Sequence, residues 1–200
     1  MTDERATLLS TTLCEYATRF TTRETRCSLR SSDVLLEAFA LSPALVNRDK
    51  QYWHRHLGAC WERLVKSVFS SRSDYQGTIR AHKKSPCDFA FAGLAVDTKY
   101  RLGSGDSGTM DKLSRNAAWL KSVGLAPIML ILREDNLPQA VARMKSAGWN
   151  VLTAVRSFEF IRQHGDFDLE AWLIERARST DVSLPEDKNS PRLFPGVDVL

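Results

Sequence analysis

Two hundred residues, 43% hydrophobic and 26% charged with a formal net charge of +4, describe a chain able to bury one ordinary core, and they exclude the disordered and low-complexity classes. The apolar runs fall well short of the roughly 20 residues that a membrane-spanning helix needs, and the start, MTDERATLLSTTL, has acids where a signal peptide is apolar, so a cytoplasmic protein is expected. Cys14, Cys27, Cys60 and Cys87 form no CxxC or Cys/His spacing, and His54, His56, His82 and His164 are scattered, which supports neither a zinc site nor a disulfide framework.

Leu9, Leu13, Tyr16 and Phe20 recur at helical spacing and predict an amphipathic helix from about Asp3 to Phe20. A second helix is predicted behind Asp33, an N-cap candidate, running over Val34 to Phe39 and ending before Ser42-Pro43. The two are expected to pack on each other as an N-terminal segment, residues 1–46, that completes the core or offers a dimer or DNA-facing surface. A longer helix is predicted from Asp49 to Ser70, with Trp53, Leu57, Trp61, Leu64 and Val68 as its apolar stripe. Ser71 to Ser85 is polar and basic, with room for a short strand at Gly77 to Ala81. Arg72, Arg80, Lys83, Lys84, Lys99 and Arg101 gather positive charge here, as a phosphate-binding surface does and as many solvated surfaces also do.

The apolar runs Phe89 to Phe91 and Leu94 to Val96, split by Ala92-Gly93, predict a hairpin with glycine in its turn. If Phe91 pairs with Leu94, antiparallel register sets Asp88 across from Asp97 with Cβ atoms about 5 Å apart. Lys99 shares the face of Asp97, because residues two apart on a strand point the same way. Opposed carboxylates repel, and a hard divalent cation such as magnesium, which takes carboxylate oxygens at about 2.1 Å, would resolve the repulsion. A solvated surface Asp-Lys pair is the alternative, and a bulge at Gly93 would move the partner of Asp88 to Val96.

At these residues the chain resembles the PD-(D/E)xK nuclease superfamily: Pro86-Cys87-Asp88 is similar to the "PD" half with one residue inserted, and Asp97-Thr98-Lys99 matches "(D/E)xK". The run KYRLGSGDSGT from Lys99 to Thr109 resembles type II restriction endonucleases, in particular the ApaLI-like group. The resemblance implies an αβα core, a mixed central β-sheet flanked by helices, over residues 47–178, with an N-terminal helical segment before it and an extension at 179–200 after it. It further implies that Asp88 and Asp97 hold Mg2+, for which Mn2+ can substitute, with the Thr98 carbonyl as a third ligand, that Lys99 is catalytic, and that Glu62 is an auxiliary acid from the preceding helix. As a residue, Glu62 reads first as a solvated i,i+4 partner of Lys66.

The small polar loop Gly103 to Thr109 is of a kind that brings backbone close to a ligand. Its GxGxxG match, at Gly103, Gly105 and Gly108, lacks the strand and acid of a dinucleotide unit. For a nuclease, Arg101, Ser104, Asp106 and Ser107 are the loop's DNA-contact candidates. Ser107 or Thr109 is expected to cap a helix from Met110 to Val123, ended by Gly124, with Met110, Leu113, Ala117 and Leu120 inward and Lys112, Arg115 and Asn116 turned toward DNA. Pro127 to Leu132 is an unbroken apolar run and predicts the central strand. A helix from Asn136-Pro138 to Lys145, a strand from Trp149 to Val155, a short helix over Ser157 to Gln163 and a last helix capped by Asp168 complete an α/β order.

The function expected from this reading is that of a magnesium-dependent type II restriction endonuclease, a bacterial homodimer cutting both strands of a short site in double-stranded DNA, without membrane association. A repair or junction-resolving nuclease on the same core, or a non-catalytic DNA-binding protein, are the alternatives.

Overall fold

A computed structural model describes residues 2–21, 32–80, 85–103 and 107–179. Helices α1 (Thr2–Thr21), α2 (Val34–Ala38), α3 (Pro43–Val46) and α4 (Lys50–Phe69) precede a hairpin of β1 (Phe89–Phe91) and β2 (Leu94–Lys99). Then come α5 (Ser107–Ser122), β3 (Ala126–Ile131), α6 (Pro138–Ala147), β4 (Asn150–Thr153), α7 (Val155–Gly165) and α8 (Leu169–Ser179). The strands form one mixed sheet in the order β1-β2-β3-β4, antiparallel at β1/β2 and parallel from β2 to β4.

Layering follows from the connections. Both parallel crossovers, β2-α5-β3 and β3-α6-β4, step the same way across the sheet, so right-handedness puts α5 and α6 on one face. There Ala95, Met129 and Ile131 meet Met110, Leu113, Ala117, Leu120 and Met144. The alternate residues Val96, Ile128 and Leu130 point to the other face, against the stripe of α4 and residues of α1, α2, α7 and α8. All five predicted stripe residues, Trp53, Leu57, Trp61, Leu64 and Val68, are fully buried, and the Trp61 indole N–H donates across to the Leu130 carbonyl at 3.4 Å.

Capping explains most boundaries. Asp33 Oδ1 accepts from the Leu35 and Leu36 amides at 3.0 and 3.1 Å, and Asp49 Oδ1 accepts from Tyr52 at 2.9 Å. Gly124 and Gly148, at φ 81° and 96°, end α5 and α6 in the left-handed region. Asp168 Oδ1 caps α8 through the Ala171 amide at 3.0 Å.

Several expectations are revised. The two N-terminal helices do not pack chiefly on each other: α1 lies on α4 and α2 on α8, because the buried face of each continues the large core on that side of the sheet. Ser42 and Pro43 open a short helix, α3, that periodicity did not show. Instead of a strand at Gly77 to Ala81 there is one antiparallel bridge, Gln76 to Ala90, and residues 81–84 lie outside the described part. Helix α5 starts at Ser107, ahead of Met110. Strand β4 stops at Thr153, where Ala154 turns to φ 44° and launches α7 earlier than expected. Residues 180–200, most of the expected extension, are also outside the described part.

The last turn of α7 is closed from a distance. Arg72 Nη1 donates to the His164 carbonyl at 2.7 Å, and Arg5 Nη1 donates to the carbonyls of Gly165 at 3.0 Å and Asp166 at 3.2 Å. Two guanidinium groups thereby meet the orphan carbonyls and negative end of that helix. Among the described residues, no helix is long and apolar enough to cross a membrane.

Candidate active site

The turn fixes the site. Ala92 and Gly93 both have positive φ, 44° and 75°, the pairing of a type I′ turn whose twist matches that of the strands it joins. The ladder is therefore tight, with Phe91 opposite Leu94, Ala90 opposite Ala95 and Phe89 opposite Val96, as the two-residue turn predicts. One residue further the ladder gives way: the Asp88 amide donates to the Val96 carbonyl at 2.8 Å, and the Asp88 carboxylate turns to Thr98. Its Oδ2 accepts from both the amide and the hydroxyl of Thr98, each at 2.7 Å. Asp88 is thus tied to the backbone at the middle of the xK motif.

Asp97 stands on the opposite face from the Thr98 side chain, paired in register with Met129 and only 6% exposed. Its Oδ2 is sealed from solvent and forms an ion pair with Lys99 Nζ, but no donor meets it in hydrogen-bond geometry. Lys99 Nζ also donates to the Thr98 carbonyl at 3.0 Å. Burial pushes the Asp97 carboxyl up to about 6 against the pull of Lys99, and the charges of Asp88 and Glu62 add to the rise. For Lys99 burial works downward, yet Asp97, Asp88 and Glu62 outweigh it and hold the ammonium above its ordinary value.

Glu62 does what its i,i+4 spacing predicts, bonding Lys66 Nζ at 2.5 Å, and its charge also reaches Asp97 and Lys99. Lys66 is a site residue that sequence reasoning passed over. Burial alone would lower it, but Glu62 and Asp88 raise it, and the only sequence signal was its place one turn beyond Glu62. Cys87 is buried beside the acids, its thiol pushed up to about 12 by burial and then by Asp97 and Asp88, so it is held neutral and unreactive. The acids, lysines and Thr98 carbonyl of this cluster come from α4, the approach to β1, and β2.

The DNA-contact candidates fall into three groups. Arg101 is engaged, its Nε donating to the Asp135 carbonyl at 2.8 Å and pairing with that carboxylate at 3.3 Å. Ser107, Lys112 and Arg115 are exposed and Asn116 half-buried along α5. Ser104 and Asp106 lie outside the described residues.

Just past Lys99 lies a second ionic cluster that the sequence did not disclose. Arg133, 3% exposed, pairs with Asp33 at 2.5 Å and Asp135 at 2.6 Å, while the Tyr100 hydroxyl donates to Asp33 Oδ2 at 2.6 Å. Asp33 and Arg133 line a cleft of about 640 Å³ at the carboxyl ends of β3 and β4. A charge directly after the apolar run Pro127 to Leu132 was its only trace in the sequence.

The donors near Asp97 suit a hard cation: the Asp88 and Asp97 carboxylates and the Thr98 carbonyl, with Asp97 Oδ2 buried. Among the described residues no three His, Cys, Asp or Glu side chains are grouped to hold a metal by themselves. Compared with family models, with curated proteins and with solved structures, the chain matches none.

Proposed function

We propose that this chain is a magnesium-dependent deoxyribonuclease of the PD-(D/E)xK type, and specifically a type II restriction endonuclease that cuts both strands of a short site. The observation that carries this is Asp97. A carboxylate with one oxygen sealed and undirected, raised to about 6 and facing Lys99 and Asp88, is poor structure but a good cation ligand.

Asp88, Asp97 and the Thr98 carbonyl would hold the cation. When bound, it polarises the scissile phosphate and the attacking water. That Asp88 Oδ2 accepts from both the amide and the hydroxyl of Thr98 supports the reading, since it fixes this carboxylate beside the motif. Lys99, on the same face as Asp97, supplies positive charge where negative charge develops on the phosphate. Lys112 and Arg115 on the exposed side of α5 neutralise backbone phosphates, and Ser107, at the positive end of that helix, donates to another. A palindromic site read by a chain of this size calls for a twofold homodimer.

The test is cleavage of a long unmethylated DNA in Mg2+ by the wild type, Asp97→Ala and Lys99→Ala. Discrete fragments from the wild type, lost in both variants, are expected, and sequencing their ends gives the site. No cleavage by the wild type in Mg2+ or Mn2+ rules the assignment out.

A further inference from the structure

We infer that Lys99 has a second role besides its catalytic one: in the cation-free protein its ammonium is an internal stand-in for the metal, and a divalent ion enters only by displacing it. The inference rests on the cation site proposed above. Its ground is that Lys99 Nζ holds the very atoms assigned to the ion. It makes an ion pair with Asp97 Oδ2 and donates to the Thr98 carbonyl at 3.0 Å.

The charge balance gives the reason. Glu62, Asp88 and Asp97 bring three negative charges to one small region, and Asp97 is almost fully buried. An isolated carboxylate cannot stay ionised there without a partner. Two lysines supply the balance in different ways. Lys66 sits on Glu62, one turn away on α4, and bonds no atom of the xK motif. Lys99 sits on the motif itself. Its side chain is 30% exposed, so once displaced it can swing toward solvent with its charge hydrated and without leaving a buried cation behind. The fold thus keeps the carboxylate paired before metal arrives, and cation entry frees the ammonium on the side from which a phosphate would approach.

The two lysines therefore differ in what they do to cation affinity. Removing Lys99 takes away a competitor for the same oxygens. Removing Lys66 only makes the surroundings more negative, from behind a carboxylate the ion does not need. Calorimetric titration with Mn2+ alone, and again with Ca2+, separates the two on the full chain without DNA.

Lys99→Met is expected to tighten Mn2+ binding on the order of five- to tenfold, Lys99→Gln to do the same within about twofold, and Lys66→Met to change it less than about twofold. If Lys99→Met and Lys99→Gln leave affinity unchanged or weaken it, or if Lys66→Met tightens binding equally, the stand-in role is overturned. The cation site itself is judged separately by Asp97→Asn, which must weaken Mn2+ binding more than tenfold. Should Asp97→Asn bind as the wild type does, the cation site is lost, and the stand-in with it. If only Asp97→Asn behaves as expected, the site stands and the stand-in falls.

Discussion

Two aspartates lie near the end of β2, Asp33 half-buried and Asp97 buried, and the chain treats them in opposite ways. Asp33 has its needs met: Oδ1 accepts two backbone amides at the start of α2, and Oδ2 accepts from the Tyr100 hydroxyl and the Arg133 guanidinium. Asp97 is nearly sealed, has one oxygen without a directed donor, and leans on a lysine that is partly in water. The first joins α2, β2 and the end of β3 in one network. The second relies on one partly exposed ammonium for its counter-charge. A fold that satisfies one carboxylate so fully has the means to satisfy both, and the difference marks where ligand chemistry is expected.

Breaking the satisfied partner should hurt most. Asp33→Ala removes a helix cap, takes the acceptor from the Tyr100 hydroxyl and leaves the buried Arg133 with Asp135 alone as counter-charge, with an expected loss of about 4 kcal/mol in urea unfolding. A loss under about 1 kcal/mol would show that water enters the network and that the two aspartates are less different than their geometry says.

Breaking the unsatisfied one should help stability while ending function. Asp97→Asn removes a buried charge, and Lys99 can hydrate, so a gain of about 2 kcal/mol is expected at pH 8, together with loss of DNA cleavage. The sign follows from linkage. Asp97 is raised in the folded state to about 6, so between about pH 4 and 6 the folded chain keeps a proton that the unfolded chain has lost, and stability falls as pH rises. Below that window the wild type and Asp97→Asn should converge, and above it the full difference should persist. A wild-type advantage at pH 8 would instead mean that the ion pair with Lys99 outweighs burial.

At the small end, the exposed pair between Arg63 and Glu15 calibrates both. Each partner is about two-fifths exposed, and Glu15→Gln should cost less than about 0.5 kcal/mol and lose even that at high salt. A larger cost would mean that exposure is a poor guide to ion-pair strength in this protein, weakening the contrast at β2.

Local physics carried the sequence far at the hairpin and less far beyond it. The turn residues Ala92 and Gly93, the apolar runs around them and the alternation along β2 were enough to predict the register and to place Lys99 beside Asp97, because all of that chemistry lies within a dozen residues. The helices with strong stripes or caps, α4, α5 and α8, were legible for the same reason. What was illegible is long-range. Asp33, Tyr100 and Arg133 meet across separations of 67 and 100 residues, and no periodicity ties them together. Arg101 read as a free cation beside a polar loop, and its engagement with Asp135 depends on where the chain after β3 returns. Over Gly77 to Arg80 the described residues form no strand, and the contacts to the approach and edge of β1 are the bridge from Gln76 to Ala90 and the bond from the Thr78 hydroxyl to the Asp88 carbonyl. Asp88 shows the limit at close range: the register predicts it directly across from Asp97, but the ladder ends at Phe89 and Val96 and its carboxylate bonds Thr98, which pairing rules do not describe.

The closure of α7 by Arg5 has a consequence for how the chain comes off the ribosome. Arg5 is made some 160 residues before its carbonyl partners at Gly165 and Asp166, a gap of several seconds or more at about 5–20 residues per second. Until then α1 can rest its apolar side on α4, and Arg5 can reach its earlier-made partner, the Ser71 hydroxyl. The tie between α1 and the end of α7 therefore forms late, and any factor that holds α1 back competes with that latch and not with the formation of the sheet.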